Sequence, residues 1–330
     1  GFIAAILSPI FPFLSFLIVA AVLPFARWIA FVAHFASQFP VIALPGSFAG
    51  AAISLIALYA LYRQWWKLVI CVAMVLAFFF TYQYFAWPGK NWVVANCDVG
   101  QGDAAVINLG NHQGLVIDTG PDPVVMDRCL KELHITAIPL LVISHSHADH
   151  AGGVEGAKRH RTVGSIWYSA KIGAVTDFEA PVGHVRITTL WPGESSTTFD
   201  AMPGDGSAVN NQSIAMIVEV SGIRYFSAGD IEPPAQEAIV HTGLLQDVDL
   251  IKVSHHGSAY QYIPLLDALH PEVAFISVGK GNTYGHPAPT TLAELEKRHI
   301  RTVRTDMDGV LVYYKDGRVK TKKKALISLN

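Results

Sequence analysis

The first 91 residues carry four basic side chains, Arg27, Arg63, Lys67 and Lys90, and no acidic one, whereas all 26 Asp and Glu residues of the 330-residue chain come later. A soluble domain is about one-quarter charged. A stretch this poor in charge cannot solvate its own surface, so the chain joins a membrane-like part to a water-facing part. A fully soluble protein, a disordered chain and a disulfide scaffold are all excluded by that asymmetry.

Within the first part, residues 3–25 are uncharged and long enough to cross about 30 Å of hydrocarbon as a helix. Pro9, Pro12 and Pro24 predict a kink or a break there. Residues 27–45 are interrupted by His34, Gln38 and Pro40 and carry Trp28 and Phe31, the pattern of an interfacial amphipathic helix. Residues 47–62 and 66–87 read as two further spans, the latter flanked by tryptophans. Arg63 and Lys67 lie between these spans, and the positive-inside rule puts them in the cytoplasm and everything after Lys90 outside. The chain starts at Gly1 without a basic leader, so no secretory signal is expected, and it reads as the C-terminal part of a longer membrane protein.

Residues 92–330 hold twenty basic against 26 acidic residues, a net charge of −6, and thirteen of the 14 histidines. Cys71, Cys97 and Cys129 form no C-x-x-C pair and are expected to be small buried hydrophobes. Short apolar runs at 92–98, 104–109 and 115–118 predict a strand meander. A helix follows at 124–133, a buried strand at 140–144 and a helix start at 153–158. Further strands are predicted at 165–168, 186–191, 214–220 and 224–228. Helix and strand then alternate from 234 to 305, and a hairpin at 310–321 turns on Asp316-Gly317. That order predicts a mixed α/β sandwich of sheets with outer helices.

The densest chemistry is Ser144-His145-Ser146-His147-Ala148-Asp149-His150, at the end of a buried strand and before a Gly-Gly helix entry. Alternate residues of extended chain point to one side, so His145 and His147 can grip one ion. As the backbone turns, Asp149 and His150 can face a second. Imidazole with carboxylate suits divalent zinc or manganese.

His-x-His-x-Asp-His after an apolar strand resembles the metallo-β-lactamase superfamily, which implies a four-layer αββα fold with a one- or two-metal hydrolytic site. Further pieces are Asp98-Val-Gly-Gln-Gly-Asp103, Ile117-Asp118-Thr-Gly120, Asn210-Asn-Gln-Ser213, Ser227-Ala-Gly-Asp230, Lys252-Val-Ser-His-His-Gly-Ser258 and Tyr284-Gly-His-Pro287. In that order behind a membrane segment they resemble the C-terminal region of the ComEC family, inner-membrane channels of bacterial DNA uptake. Residues 1–91 correspond to the end of the competence membrane domain, and 92–330 to the metallo-β-lactamase-like domain.

The resemblance implies that Asp230 bridges two metals and that His255 or His256 is the ligand that completes the second metal's coordination; His255 is favoured, leaving His256 behind the ligands or against substrate. Asp118 either braces the ligand loop or makes a plain Asx turn. Asp103 points into the site or to a backbone N–H, with Asp98 and Gln101 on the same Gly-rich turn. Asp149 is a catalytic group as well as a ligand. His286 either protonates a leaving oxygen or is structural. Asn211, Ser213 and Ser258 fall beside the ligands or the substrate.

One departure stands out: where the superfamily usually takes another first-metal His, this chain has Asn210, Asn211 and Ser213. His160 and His184 sit at no convincing strand end. The first ion is therefore expected to be weakly held, or bound with substrate. The implied activity is a nuclease degrading the strand that does not enter, with DNA, the membrane and other competence proteins as partners. The rivals are a small-molecule phosphodiester or lactam hydrolase and a catalytically idle DNA-guiding module. Lys322, Lys323 and Lys324 offer DNA contacts in an otherwise acidic domain.

Overall fold

The structure, a computed structural model, describes residues 11–37, 48–63, 65–168, 173–192 and 208–323, together with Ala5, Ser8 and Pro9. Contacts separate residues up to Thr81 from a second unit, Tyr82–Lys324. The change in composition comes about ten residues later, because Trp87 and Pro88 already belong to the second unit. The Trp87 carbonyl accepts from His134 Nε2 at 2.9 Å, and the Pro88 carbonyl accepts from Tyr314 Oη.

The first unit contains the helices Pro12–Ala36 and Phe48–Tyr62 and most of Trp66–Phe85, whose last turn falls in the second. The first corrects the expected split into a span ending near residue 25 and a separate interfacial helix. It runs through Pro24 without a stop, since the missing N–H removes one hydrogen bond while apolar residues on both sides keep helical backbone favourable. Pro12 instead starts the helix, where its missing N–H costs nothing. Residues 38–47, which carry part of the expected interfacial segment, lie outside the described residues. Pro12–Phe35 is the one helix, among the described residues, long and apolar enough to cross a membrane.

The second unit is built from β1 (Trp92–Asn96), β2 (Ala105–Gly110), β3 (Gln113–Ile117), β4 (Ala137–Val142), β5 (Thr162–Trp167), β6 (Val175–Ala180) and β7 (Gly183–Trp191). The chain continues through β8 (Ala215–Val220), β9 (Ile223–Ser227), β10 (Leu250–Lys252), β11 (Val273–Ile276), β12 (Arg301–Arg304), β13 (Val310–Tyr314) and β14 (Val319–Lys322). They form two seven-stranded sheets, ordered β14-β13-β1-β2-β3-β4-β5 and β12-β11-β10-β9-β8-β7-β6.

Period-two alternation sorts the apolar residues into three layers. Ile107, Leu115 and Ile117 face Met216, Val218, Tyr225 and Phe275 between the sheets. Their neighbours Val106 and Val116 turn outward onto Met126 and Leu130 of the helix Pro123–Glu132. Ile217, Phe226 and Ile276 turn outward on the other side, against Ile239, Leu269 and Leu295. The result is the αββα sandwich that the motifs imply.

Two expectations need correction. β6 was not foreseen: its residues alternate between exposed and half-buried, and Asp177 and Glu179 break the apolar signal of this edge strand. Cys97 and Cys129, expected as separate buried thiols, are joined in a disulfide with Cα atoms 5.9 Å apart. Cys97 follows β1 and Cys129 lies on the helix Pro123–Glu132, so the bond clips an outer helix to the sheet it covers. Cys71 is a free, exposed thiol.

Candidate metal centre

β3 and β4 run parallel in one sheet, and β9, β10 and β11 run parallel in the other. The loops leaving the carboxyl ends of these strands carry the ligand-type residues, the place where α/β sheets gather sites. The Ser144 carbonyl accepts from Ile214 N at 2.9 Å and the Gly229 carbonyl from His255 N at 3.1 Å, which tie the loops together.

Asp149, His150, Asp230 and His256 converge so closely that one ligand-type atom from each lies within 4.8 Å of all the others. His150 Nε2 is 3.2 Å from Asp230 Oδ2, and His256 Nε2 is 3.3 Å from Asp149 Oδ2 and 3.4 Å from Asp230 Oδ2. His255 Nε2 is farther out, 4.0 Å from Asp230 Oδ2. Both residues of the pair have left-handed backbone, with φ of 50° and 52°. Two such non-glycine residues in succession are uncommon, and strain of this kind concentrates at functional sites. It also explains why alternation could not decide between them.

Both inner imidazoles are held from behind. Asp118 accepts from Ser144 N and Ser144 Oγ, each at 2.7 Å, and lies 2.9 Å from His150 Nδ1. His256 Nδ1 donates to the Ser277 carbonyl at 2.9 Å. In each ring the proton on Nδ1 is thereby fixed, and Nε2 is aimed into the cluster, the arrangement that orients metal-binding histidines. Asp118 is therefore a brace at φ 60°, not merely a turn.

His145 Nε2 faces His147 Nδ1 at 3.0 Å, beside the first group. Ser213 takes the place where another histidine was sought: its Oγ lies 3.1 Å from His145 Nδ1 and accepts from Asp230 N at 3.1 Å. Asn211 is occupied with structure, its Oδ1 accepting from Glu232 N at 2.9 Å and its carbonyl from Trp191 Nε1 at 2.6 Å. Ser258 shapes the turn after His256, and its carbonyl accepts from Thr291 Oγ1 at 2.6 Å. Asp98 Oδ1 accepts from Gly100 N at 3.4 Å, and Gln101 Oε1 from Gly279 N at 3.1 Å.

Asp103 faces the underside of the cluster. Gly102 makes this possible, since a Cβ there would stand 2.2 Å from the Asp149 carbonyl. Asp103 is paired with Lys252, which no spacing in the motifs singles out; its Nζ also lies 3.6 Å from Asp230 Oδ1 and donates to the Gly229 carbonyl at 2.8 Å. A lysine inside the buried strand Leu-Ile-Lys was the available signal, because a buried ammonium requires an anionic partner.

The charges are interlocked. Burial opposes ionisation of Asp230, but His150 and His256 hold its carboxyl well below the usual range. Burial likewise opposes Asp103, which Lys252 and His256 nevertheless keep ionised. Burial would lower His150, yet Asp230 and Asp118 push it up to about 10; His256 is raised well above its ordinary value by Asp230 and Asp103. His145 goes the other way, down to about 3, through burial and the neighbouring His150.

This donor set fits divalent metal. Carboxylates of Asp149 and Asp230 stand beside the imidazoles of His150 and His256, the mixed donor set of divalent ions, and His150 Nε2 and Asp230 Oδ1 are buried without a hydrogen-bond partner. A cavity of about 740 Å³ opens over the cluster and is also lined by His147, His286 and Tyr284. His286 sits 5.4 Å, ring to ring, from His255. His160 and His184 join neither group; His184 pairs with Asp177 and Glu179 on the exposed face of β6 and β7. At the far edge, Lys322 is ion-paired with Glu132 at 3.0 Å, Lys323 is exposed, and Lys324 lies outside the described residues.

Among curated relatives, "ComE operon protein 3" of Bacillus subtilis is 26% identical over 77% of this chain and 36% of its own length. "Recombination protein 2" of Haemophilus influenzae is 28% identical over 72% of this chain and 31% of its own. The resemblance to the ComEC family thus holds, and the chain spans about one-third of the length of these relatives. Zn(2+)-bound PqqB from Methylobacterium extorquens aligns with 64% of this chain and 87% of its own at 12% identity and a TM-score of 0.39. The model of the metallo-beta-lactamase superfamily matches residues 97–280. With more than half its length matched, the chain belongs to the metallo-beta-lactamase superfamily.

Proposed function

We propose that this chain is the C-terminal part of a competence DNA-uptake protein of the bacterial inner membrane, and that its second unit is a metal-dependent deoxyribonuclease that degrades the excluded strand. The observation that carries the proposal is the convergence of Asp149, His150, Asp230 and His256 beside His145 and His147. In this reading His145 and His147 would hold one ion and Asp149, His150 and His256 another, with Asp230 available to both; His255 would stand beside the substrate. Zinc or manganese suits these donors. Divalent ions at such a site supply an acidified water and positive charge opposite a phosphodiester.

The chain's own groups do the rest. Asp118 and the Ser277 carbonyl fix the two inner imidazoles, Asp149 takes the proton of the attacking water, and His286 protonates the leaving oxygen. With Ser213 where the superfamily usually has another histidine, an ion at His145 and His147 would be held more weakly than one at Asp149, His150 and His256.

The second unit is placed on the outer side of the membrane. Arg63 and Lys67 support this by the positive-inside rule, and the Cys97–Cys129 bond supports it independently, because disulfides persist in oxidising compartments. The apolar first unit, with Phe13, Phe25 and Phe78 among its exposed side chains, needs the cover a bilayer gives.

The test is metal content and DNA cleavage by the full chain in detergent. One to two divalent ions per chain are expected, together with cleavage lost in the combined His145→Ala, His147→Ala variant. Metal binding without DNA cleavage, and with hydrolysis of a lactam or a small phosphodiester, points to a small-molecule enzyme. DNA binding without any hydrolysis points to an idle guiding module.

A further inference from the structure

Tyr284 stands at the mouth of the cavity with 70% of its surface exposed. Single exposed aromatics are ordinary on protein surfaces, but the loop that carries this one is stapled. A Cβ at Gly279 would lie 2.6 Å from Gln101 N, so the loop sits flush on the 98–103 turn. The Asn282 amide donates to the carbonyls of Gly279 at 3.2 Å and His286 at 2.7 Å, and its Oδ1 accepts from His286 N at 3.2 Å. Tyr284 is thus held out into water on an anchored frame.

Behind it runs a file of rings reaching the metal cluster. Tyr284 and His286 are 6.0 Å apart with planes at 28°, His286 and His256 are 6.3 Å apart at 29°, and His256 and His150 are 5.5 Å apart at 39°. Val99, Pro121 and Val125 line the same cavity, with Gln101 and Asp122 among them. The file therefore runs from an exposed aromatic face at the cavity mouth to the centre proposed to receive a phosphodiester, with aliphatic side chains lining the same cavity.

We propose that Tyr284, backed by His286, is a stacking platform for the nucleobase next to the scissile phosphate, and that it makes the site select single-stranded over paired polynucleotide. Stacking on an aromatic face tolerates any base but needs that face uncovered, which base pairs inside a duplex do not offer. It also supplies affinity without lysine or arginine, which suits a domain of net negative charge. This proposal rests on the nuclease reading above.

The experiment compares kcat/KM of the full chain in detergent, supplied with manganese, on a single-stranded oligothymidylate, the same sequence as duplex, and an abasic strand of equal length. The wild-type chain should favour the base-bearing single strand over the abasic one by about tenfold, the scale of one stacked base, and over the duplex as well. Tyr284→Leu should erase the first preference through KM, whereas Tyr284→Phe should retain it. Equal loss on base-bearing and abasic strands, or no preference in the wild-type chain, overturns the platform while the nuclease stands. No cleavage of any of the three by the wild-type chain overturns both.

Discussion

The Cys97–Cys129 bond closes a loop spanning 32 positions, and that loop contains Asp103 and Asp118, two carboxylates that support the ligands without being counted among them. Removing the cross-link restores freedom to the unfolded chain. The loop-closure relation gives about 3.7 kcal/mol for a loop of this length at 25 °C. With a urea slope of about 3 kcal/mol/M for a unit of this size, the unfolding midpoint should fall by about 1.2 M. The assay is urea denaturation of Tyr82–Lys324, metal-free, comparing the oxidised form, the form reduced with dithiothreitol, and a Cys97→Ala, Cys129→Ala variant. Thiol titration of the unreduced native full chain should find Cys71 alone. Three titrating thiols, or a midpoint that reduction leaves in place, would falsify the account of this bond and remove one of the two supports for an extracytoplasmic location.

Other outcomes follow from the site. In the metal-free protein His150 and His256 keep their protons above the pH at which free imidazole loses them, to about 10 for His150. Metal must displace these protons, so its affinity should rise with pH between about 6.5 and 10 and binding near pH 7.5 should release about two protons; calorimetry in buffers of different ionisation enthalpy reads this number, and zero release contradicts it. His145, at about 3 when folded, should make the metal-free unit lose about 1.4 kcal/mol of stability per pH unit as pH falls below 6.5; a flat profile for the difference between it and His145→Ala refutes this. Lys252→Met leaves Asp103 and Asp230 without their buried ammonium and should cost about 3–5 kcal/mol in metal-free denaturation; an unchanged midpoint shows that the pair carries no net stability. A reporter fused after Asn330 should be active outside the inner membrane, and cytoplasmic activity refutes the orientation.

Much of the sandwich was legible because its central strands are apolar on both faces. Runs such as Ala-Met-Ile-Val in β8 and Ala-Phe-Ile in β11 declare buried strands whatever surrounds them. β6 stayed hidden because an edge strand with one half-buried face need not look apolar. The His145–His150 cluster was legible for a different reason: its spacing is local, and local geometry follows from backbone type. Signals fail where partners are distant or backbone is irregular. Cys97 and Cys129 meet only because a helix packs on a sheet, and Lys252, at the end of β10 in one sheet, meets Asp103 on the turn before β2 of the other. His255 and His256 defeated the alternation rule because both residues are left-handed, so neither strand nor helix periodicity applies to them.

The ammonium of Lys252 has a bearing on how the molecule matures. Carboxylates gathered for a metal ordinarily repel one another until the ion arrives, and a chain built that way must find its ion in order to fold. Here a covalently attached cation, together with imidazoles able to carry protons, stands among Asp103, Asp149 and Asp230 beforehand. Folding then need not wait for the ion. On the proposed outer side of the membrane such a domain would complete its fold first and take its activity from whichever divalent ions the surroundings provide.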